Sequence, residues 1–234
     1  MADEAVDEKR RAAERSLDYV EDGMVLGLGT GSTAAHVVRL LGARVRDGLN
    51  VTGVPTSRAT EALAEECGVA LTTLEEVTRV DLTIDGADEV DPELGLIKGG
   101  GGALLREKIV ASVSERLVVV VDSSKLVPRL GAYPLPVEAT PFAWKMVAEA
   151  LAATGARPSL RRGRDGTPFH TDEGNYLIDC AYGAIDDAHA LARRIEAVVG
   201  VVEHGLFLDM ADVVVVGRGG GADVIERIEG AQTP

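Results

Sequence analysis

The stretch MVLGLGTGSTAAHVVRLLG, Met24 to Gly42, decides the fold. MVLGLG reads as a short buried strand, the glycines as a tight turn, and STAAHVVRLLGARV as an amphipathic helix opened by Ser32 or Thr33 as N-cap. Dinucleotide-binding units begin this way, with G-x-G-x-x-G or A and an acid about 20 residues further on for the ribose hydroxyls. Gly27 and Gly29 fit that fingerprint, but the third position is Ser32. The next strand, LNVTGVPTS, ends without an Asp or Glu. The residues therefore argue against NAD, and no Lys follows the glycines as a phosphate-loop pattern requires. What remains is Thr30-Gly31-Ser32-Thr33 at a helix N-terminus. Free N–H groups and the helix dipole there suit a single phosphate. Ordinary helix capping with close packing of the glycines is the competing reading.

Outward from this stretch, strands and helices alternate. SRATEALAEECG is a helix stopped at Gly68, VDLTIDGAD a strand ending in acids, KGGGGALLREKIVASVS a glycine turn and helix, and ERLVVVVDSSK a valine-rich strand buried on both faces. Such alternation predicts a doubly wound, Rossmann-like parallel sheet. The pattern then changes. PLPVEAT reads as a strand whose prolines suggest an edge or the entry to a domain. A helix (PFAWKMVAEALAATG), two strands (ARPSLRRG and YLIDCAYG), a helix (DDAHALARRIEAVVG) and a strand (VVEHGLF) follow. The order β-α-β-β-α-β is ferredoxin-like. The expected architecture is thus α/β, with residues 1–131 plus 207–234 as the Rossmann-like unit and 132–206 as an inserted, smaller ferredoxin-like α+β domain. The closing ADVVVVGRGGGADVIERIEG reads as strand, glycine turn and helix, returning to the first sheet.

Composition narrows the function classes. Of 234 residues, 46% are hydrophobic but only 3% aromatic, so the core is aliphatic. The net charge of −14 excludes a phosphate-backbone or anionic-membrane partner, both of which need a basic face. Two cysteines, Cys67 and Cys180, form no disulfide framework and point to a reducing compartment. The acidic start MADEAVDEKR is no signal peptide, and no apolar run approaches the ~20 residues that span a bilayer. A cytoplasmic protein is expected. Lysine occurs only at positions 9, 98, 108, 125 and 145, against 38 acids. A lysine-poor acidic surface is what salt adaptation would leave, since salt screens self-repulsion.

Four strand-end motifs carry the candidate chemistry. The first is Thr30–Thr33. The second is Asp85-Gly86-Ala87-Asp88-Glu89, readable as an acidic turn or as a ligand site. The third is Lys98-Gly99-Gly100-Gly101-Gly102, with Glu107 in the helix that follows. The fourth is Ser123-Ser124-Lys125. Ligands in doubly wound sheets bind at the carboxyl ends of strands, where these motifs fall. Metal binding is disfavoured, because neither a His or Cys cluster nor EF-hand spacing accompanies the acids. Together the acids and lysines can bind an anionic sugar and move protons. Positive charge from Lys98 and Lys125, with Lys9 or Arg10 as further contributors, would draw in a phosphate.

GLGTGSTA, DGADEVD, KGGGGALLREK and VDSSK, in this order and spacing, resemble ribose-5-phosphate isomerases of the A type over nearly the whole chain. Gly102 and Leu105 stand where many members have Ala and Thr. The resemblance implies aldose–ketose isomerisation of D-ribose 5-phosphate and D-ribulose 5-phosphate through an enediolate, in the non-oxidative pentose phosphate pathway, without metal or organic cofactor. By position it implies Glu107 as general base, Asp85 and Asp88 binding sugar hydroxyls and assisting ring opening, and Lys98 stabilising the oxyanion. Thr30, Gly31, Ser32, Thr33, Gly86, Ala87, Gly99, Gly100, Gly101 and Lys125 would complete the substrate site. It also implies a homodimer or homotetramer. A sugar-phosphate deaminase, a CoA transferase using Glu107 as nucleophile, and a non-catalytic sugar-phosphate sensor are the other readings. The histidines, at 36, 170, 189 and 204, lie outside the four motifs, which counts against the deaminase.

Overall fold

The structure, a computed structural model, describes residues 2–227. Helix α1 (Ala2–Ser16) leads into β1 (Val25–Leu28), α2 (Ser32–Arg46), β2 (Thr52–Pro55), α3 (Arg58–Glu66), β3 (Ala70–Leu71) and β4 (Leu82–Gly86). Two short strands follow, β5 (Glu89–Val90) and β6 (Leu96–Ile97), then α4 (Leu104–Ser112) and β7 (Leu117–Asp122). The sequence pattern did not anticipate β5 and β6. Next come β8 (Leu135–Ala139), α5 (Trp144–Ala153), β9 (Arg157–Leu160), β10 (Tyr176–Ala181), α6 (Ala188–Glu196) and β11 (Val201–His204). Strands β12 (Leu206–Phe207), β13 (Val213–Arg218) and β14 (Gly221–Glu226) close the described chain.

The main sheet has the order β14-β13-β7-β4-β1-β2-β3, parallel except for the β13–β14 pair. The chain starts at β1, winds outward through β2 and β3, then returns to build β4, β7 and β13 on the other side. The order therefore reverses between β1 and β4. At such a switch point the loops after two adjacent strands diverge to opposite faces and leave a crevice. The loops concerned are Thr30–Thr33 and Asp85–Asp88. In β7 and β13 the valines divide by period two between the faces. Val118, Val120, Val213 and Val215 pack with residues of α1 and α2, whereas Val119, Val121, Val214 and Val216 pack with Phe207 and Leu96. That explains an unbroken apolar run in place of alternation.

The second sheet is antiparallel, β11-β8-β10-β9, with a core of its own that includes Leu135, Val137, Val147, Leu151, Ile178 and Ile195. Its strand order is the ferredoxin-like one. A third, three-stranded sheet, β12-β6-β5, joins the two.

Three expectations need correction. PLPVEAT supplies β8, a central strand and not an edge. Pro136 is tolerated because it pairs with Asp179 of β10, while pairing with β11 begins only at Val137, so no ladder acceptor waits for its missing N–H. VVEHGLF is two strands, broken at Gly205, which pair in different sheets. After the closing glycine turn the chain forms β14, a hairpin partner of β13, where a helix was expected. Ala222 and Val224 alternate inward onto the core beside α1, a period of two that holds the segment as a strand. The last residues of that expected helix, 228–230, lie outside the described residues.

Candidate active site

The first glycine turn presses on the second motif. A Cβ at Gly29 would sit 2.2 Å from Asp85 Oδ1, so only glycine lets β1 end against that carboxylate. Asp85, at the end of β4, is 1% exposed and accepts hydrogen bonds from Thr30 N–H (3.0 Å) and Gly86 N–H (2.7 Å). The hydroxyl of Thr30 turns inward to Thr56 Oγ1 and Ser57 Oγ, both at 2.8 Å. Thr30 thus lines the crevice with both its N–H and its hydroxyl engaged in the fold. The N-cap of α2 is Gly31, at φ +109°, and not Ser32 or Thr33. No side chain caps this helix, so its first-turn N–H groups stay open to an anion.

Lys98 leaves the end of β6 and is 3% exposed. Its Nζ lies 3.0 Å from Asp85 Oδ2 and 3.4 Å from Glu107 Oε1, and it donates to the Gly86 carbonyl. The ring of Phe207 packs beneath it, 5.3 Å from Nζ to centroid. Burial by itself would lower the Lys98 pKa, but Asp85 and Glu107 outweigh it and hold the ammonium above the ordinary lysine value. Burial also pushes Asp85 up, opposed by Lys98 and by the N–H groups of Gly86 and Thr30. Glu107, on the first turn of α4, is 4% exposed, and its Oε2 has no hydrogen-bond partner. Burial, and then the nearby charge of Asp85, raise its pKa from 4.5 to about 8 against the pull of Lys98. A carboxyl with one free oxygen and a pKa near neutrality is the form a general base takes.

A cleft of about 110 Å³ gathers these groups. All of the residues that the family resemblance assigns to the site line it except Asp85, which lies beneath its floor and reaches it through Lys98; of the wider motifs, Glu89, Gly102, Ser123 and Ser124 do not line it. Asp88 borders the cleft and accepts from Gly100 N–H at 2.7 Å. Lys125, just past β7, makes no hydrogen bond or ion pair with the described residues. Lys9 also lines the cleft, donating to Ser32 Oγ at 3.0 Å and lying 4.0 Å from Asp122 Oδ2. It is held there because Glu8, its neighbour on α1, accepts from the N–H and hydroxyl of Ser123. Sequence reasoning weighed Lys9 only as a source of charge, and the scarcity of lysine was the one signal for it. Arg10 does not reach the cleft and pairs with Glu14 on the surface.

No histidine lines the cleft. Among the described residues no group of three or more His, Cys, Asp or Glu is placed to hold a metal ion. A larger cleft, about 640 Å³, lies beside α4 against Val54, Leu71, Leu74 and Ile109 and has no lysine in its walls. Among the described residues no helix is long and apolar enough to cross a membrane.

Comparison with known proteins identifies the family. The profile of ribose 5-phosphate isomerase A (phosphoriboisomerase A) matches residues 52–221. The chain is 56% identical to ribose-5-phosphate isomerase A of Nitrobacter hamburgensis over 225 residues, covering 94% of this chain and 97% of that one. It superposes on ribose 5-phosphate isomerase A of Methanocaldococcus jannaschii with a TM-score of 0.89 at 44% identity, covering 93% and 97% of the two chains. A D-ribose-5-phosphate isomerase in complex with phospho-erythronic acid superposes with a TM-score of 0.91 at 42% identity, covering 94% and 97%. With a matching profile over most of its length and relatives this similar from end to end, the chain belongs to the ribose 5-phosphate isomerase A family.

Proposed function

We propose that this chain interconverts D-ribose 5-phosphate and D-ribulose 5-phosphate through an enediolate, with Glu107 as the base. The observation that carries the reading is the buried, unpartnered Oε2 of Glu107, on a carboxyl raised to about 8, in a cleft that also holds Lys98. Glu107 takes the proton from C2 of the open-chain aldose. The C2–H electron pair forms the C1=C2 bond, and the carbonyl pair moves onto O1. Lys98, kept charged by Asp85, stabilises that oxyanion as charge develops. Protonated Glu107 then returns its proton to the C1=C2 pair at C1, while the O2–H pair forms the C2 carbonyl and the O2 proton passes to O1, so the ketose leaves with a neutral C1 hydroxyl and Glu107 is again ionised.

The phosphate would lie on the open N–H groups of Gly31, Ser32 and Thr33, with Lys9 and Lys125 beside it. Its binding energy orients the reacting carbons far from it. Asp88 reaches the cleft and would bind sugar hydroxyls and assist ring opening. Asp85 would act through Lys98, since it lies below the floor. The reading needs no metal or organic cofactor. It places the chain in the cytoplasm, in the non-oxidative pentose phosphate pathway, as a homodimer or homotetramer. Residues 132–206 would form the inserted unit, whose antiparallel sheet has a core that also takes in Ile97 and Leu130. The test is turnover of ribose 5-phosphate with and without EDTA, beside Glu107→Gln. Turnover that survives EDTA and collapses in the variant supports the reading, and a wild-type chain without turnover overturns it.

A further inference from the structure

Of four consecutive glycines, Gly99–Gly102, the first three form one wall of the cleft, and glycine backbones lose the most freedom on being ordered. From within, the turn is closed by Gly102 N–H donating to the Gly99 carbonyl at 3.0 Å, and no backbone donor of the turn reaches the Gly100 carbonyl. We propose that Arg161, from the inserted unit, is a positioning residue for the isomerisation. It sets the Gly99–Gly101 turn so that Gly100 N–H holds Asp88 and Gly101 N–H faces the substrate. This rests on the activity proposed above.

Arg161 Nη1 donates to the Gly99 carbonyl at 2.8 Å and to the Gly100 carbonyl at 3.2 Å. Its Nε and Nη2 are taken by the two carboxylate oxygens of Asp179 on β10. Both side chains are partly shielded, 14% and 28% exposed, and the guanidinium lies over Phe169, 6.0 Å from the ring centroid. The same ring packs so closely on Gly102 that a Cβ there would be 2.5 Å from it. All peptide bonds here are trans, so each C=O points opposite to the N–H of the next residue. With both carbonyls drawn to Arg161, the N–H groups of Gly100 and Gly101 point away from it. The first goes to Asp88, whereas the second has no acceptor among the described residues and belongs to the wall of the cleft. Only a planar fork of donors can hold two carbonyls and a carboxylate together, and lysine has no such geometry. The inserted unit thereby supplies part of the order of a catalytic turn that belongs to the other sheet.

The experiment compares Arg161→Ala, Arg161→Lys and Asp179→Asn for kcat, KM and inhibition by two probes, inorganic phosphate and phospho-erythronic acid. Arg161→Ala is expected to lower kcat on the order of 10²-fold and to weaken phospho-erythronic acid similarly, because it loosens the sugar end of the cleft. Inorganic phosphate, held at the α2 end, should stay within about twofold. Millimolar guanidinium should restore part of kcat in Arg161→Ala, and sodium chloride at the same ionic strength should not. Arg161→Lys should recover little, and Asp179→Asn should fall between. If Arg161→Ala fails to fold, the two volume-conserving variants are read by the same kcat and inhibition split. A kcat within about twofold of wild type, or equal weakening of both probes, overturns the inference and leaves the activity standing. Wild-type chain without turnover overturns the activity itself, and this role with it.

Discussion

Replacing Glu107 by Gln should destroy turnover and at the same time flatten part of the pH dependence of stability. In the native protein the Glu107 carboxyl keeps its proton up to about pH 8, whereas in the unfolded chain it loses it near 4.5. Between those limits the native state binds one more proton than the unfolded state. Stability therefore falls as pH rises from 4.5 to 8, by up to about 1.4 kcal/mol per pH unit, and levels off above. From pH 6 to 8 this single group removes about 2 kcal/mol, after allowance for the rounding of the curve near its pKa. The glutamine amide of the variant does not titrate, so the gap between variant and wild type should change by that amount across the interval. For a chain of this size the change corresponds to a relative Tm shift of about 4–8 °C. An amide nitrogen left without a partner could lower the variant's stability at every pH, by about 1–3 kcal/mol, but that offset has no slope. The assay is thermal unfolding of both proteins at pH 6, 7 and 8, alongside kcat, which should fall on the order of 10²–10⁴-fold. Parallel Tm curves would refute the buried, raised carboxyl whatever happened to the rate. The wild-type kcat/KM should rise about tenfold per pH unit from pH 6 toward 7 and flatten above 8, as Glu107 ionises beside a lysine that stays charged.

The remaining expectations are simpler to read. Lys98→Ala should reduce kcat more than Lys125→Ala, because Lys98 touches the base and Lys125 does not, whereas Lys125→Ala should mainly raise KM; steady-state kinetics of the pair would expose a reversal of these roles. Gly102→Ala would place a Cβ at φ +86° and 2.5 Å from the Phe169 ring, and should cost about 1–3 kcal/mol in a denaturant titration. An unchanged midpoint would show that the ring moves aside freely. With a net charge of −14, Tm should rise between low and molar salt, and a Tm that falls would remove the case for salt adaptation.

Much of the site was legible because its parts are local. A strand-end glycine turn, an acidic turn and a second glycine run each carry their meaning within a few residues, and the doubly wound order tells that their ends meet. Glu107 was legible by position, but its state was not. On pattern alone a Glu on an exposed-looking helix titrates near 4.5; only the packing of α4 against Lys98 and Asp85 buries it and leaves Oε2 bare. Asp85 illustrates the opposite case, since its motif suggested contact with sugar and the fold seats it under the floor. Lys9 and Arg161 carried no motif at all. One is brought in by a terminal helix anchored through Glu8, the other by the end of a strand in a different sheet. The hairpin β13–β14 was misread because GRGGG followed by ADVIE has too few residues to separate a period of two from one of 3.6.

The amino-acid sequence by itself determined the parallel sheet, the aliphatic core and the kinds of residue at the strand ends, because all of these follow from periodicity and from what glycine and valine can do along a chain. Tertiary structure alone decided which carboxyl is buried, which stays charged and which oxygen is free. Those properties depend on distances between groups far apart in the chain, and on the water that packing removes from around them.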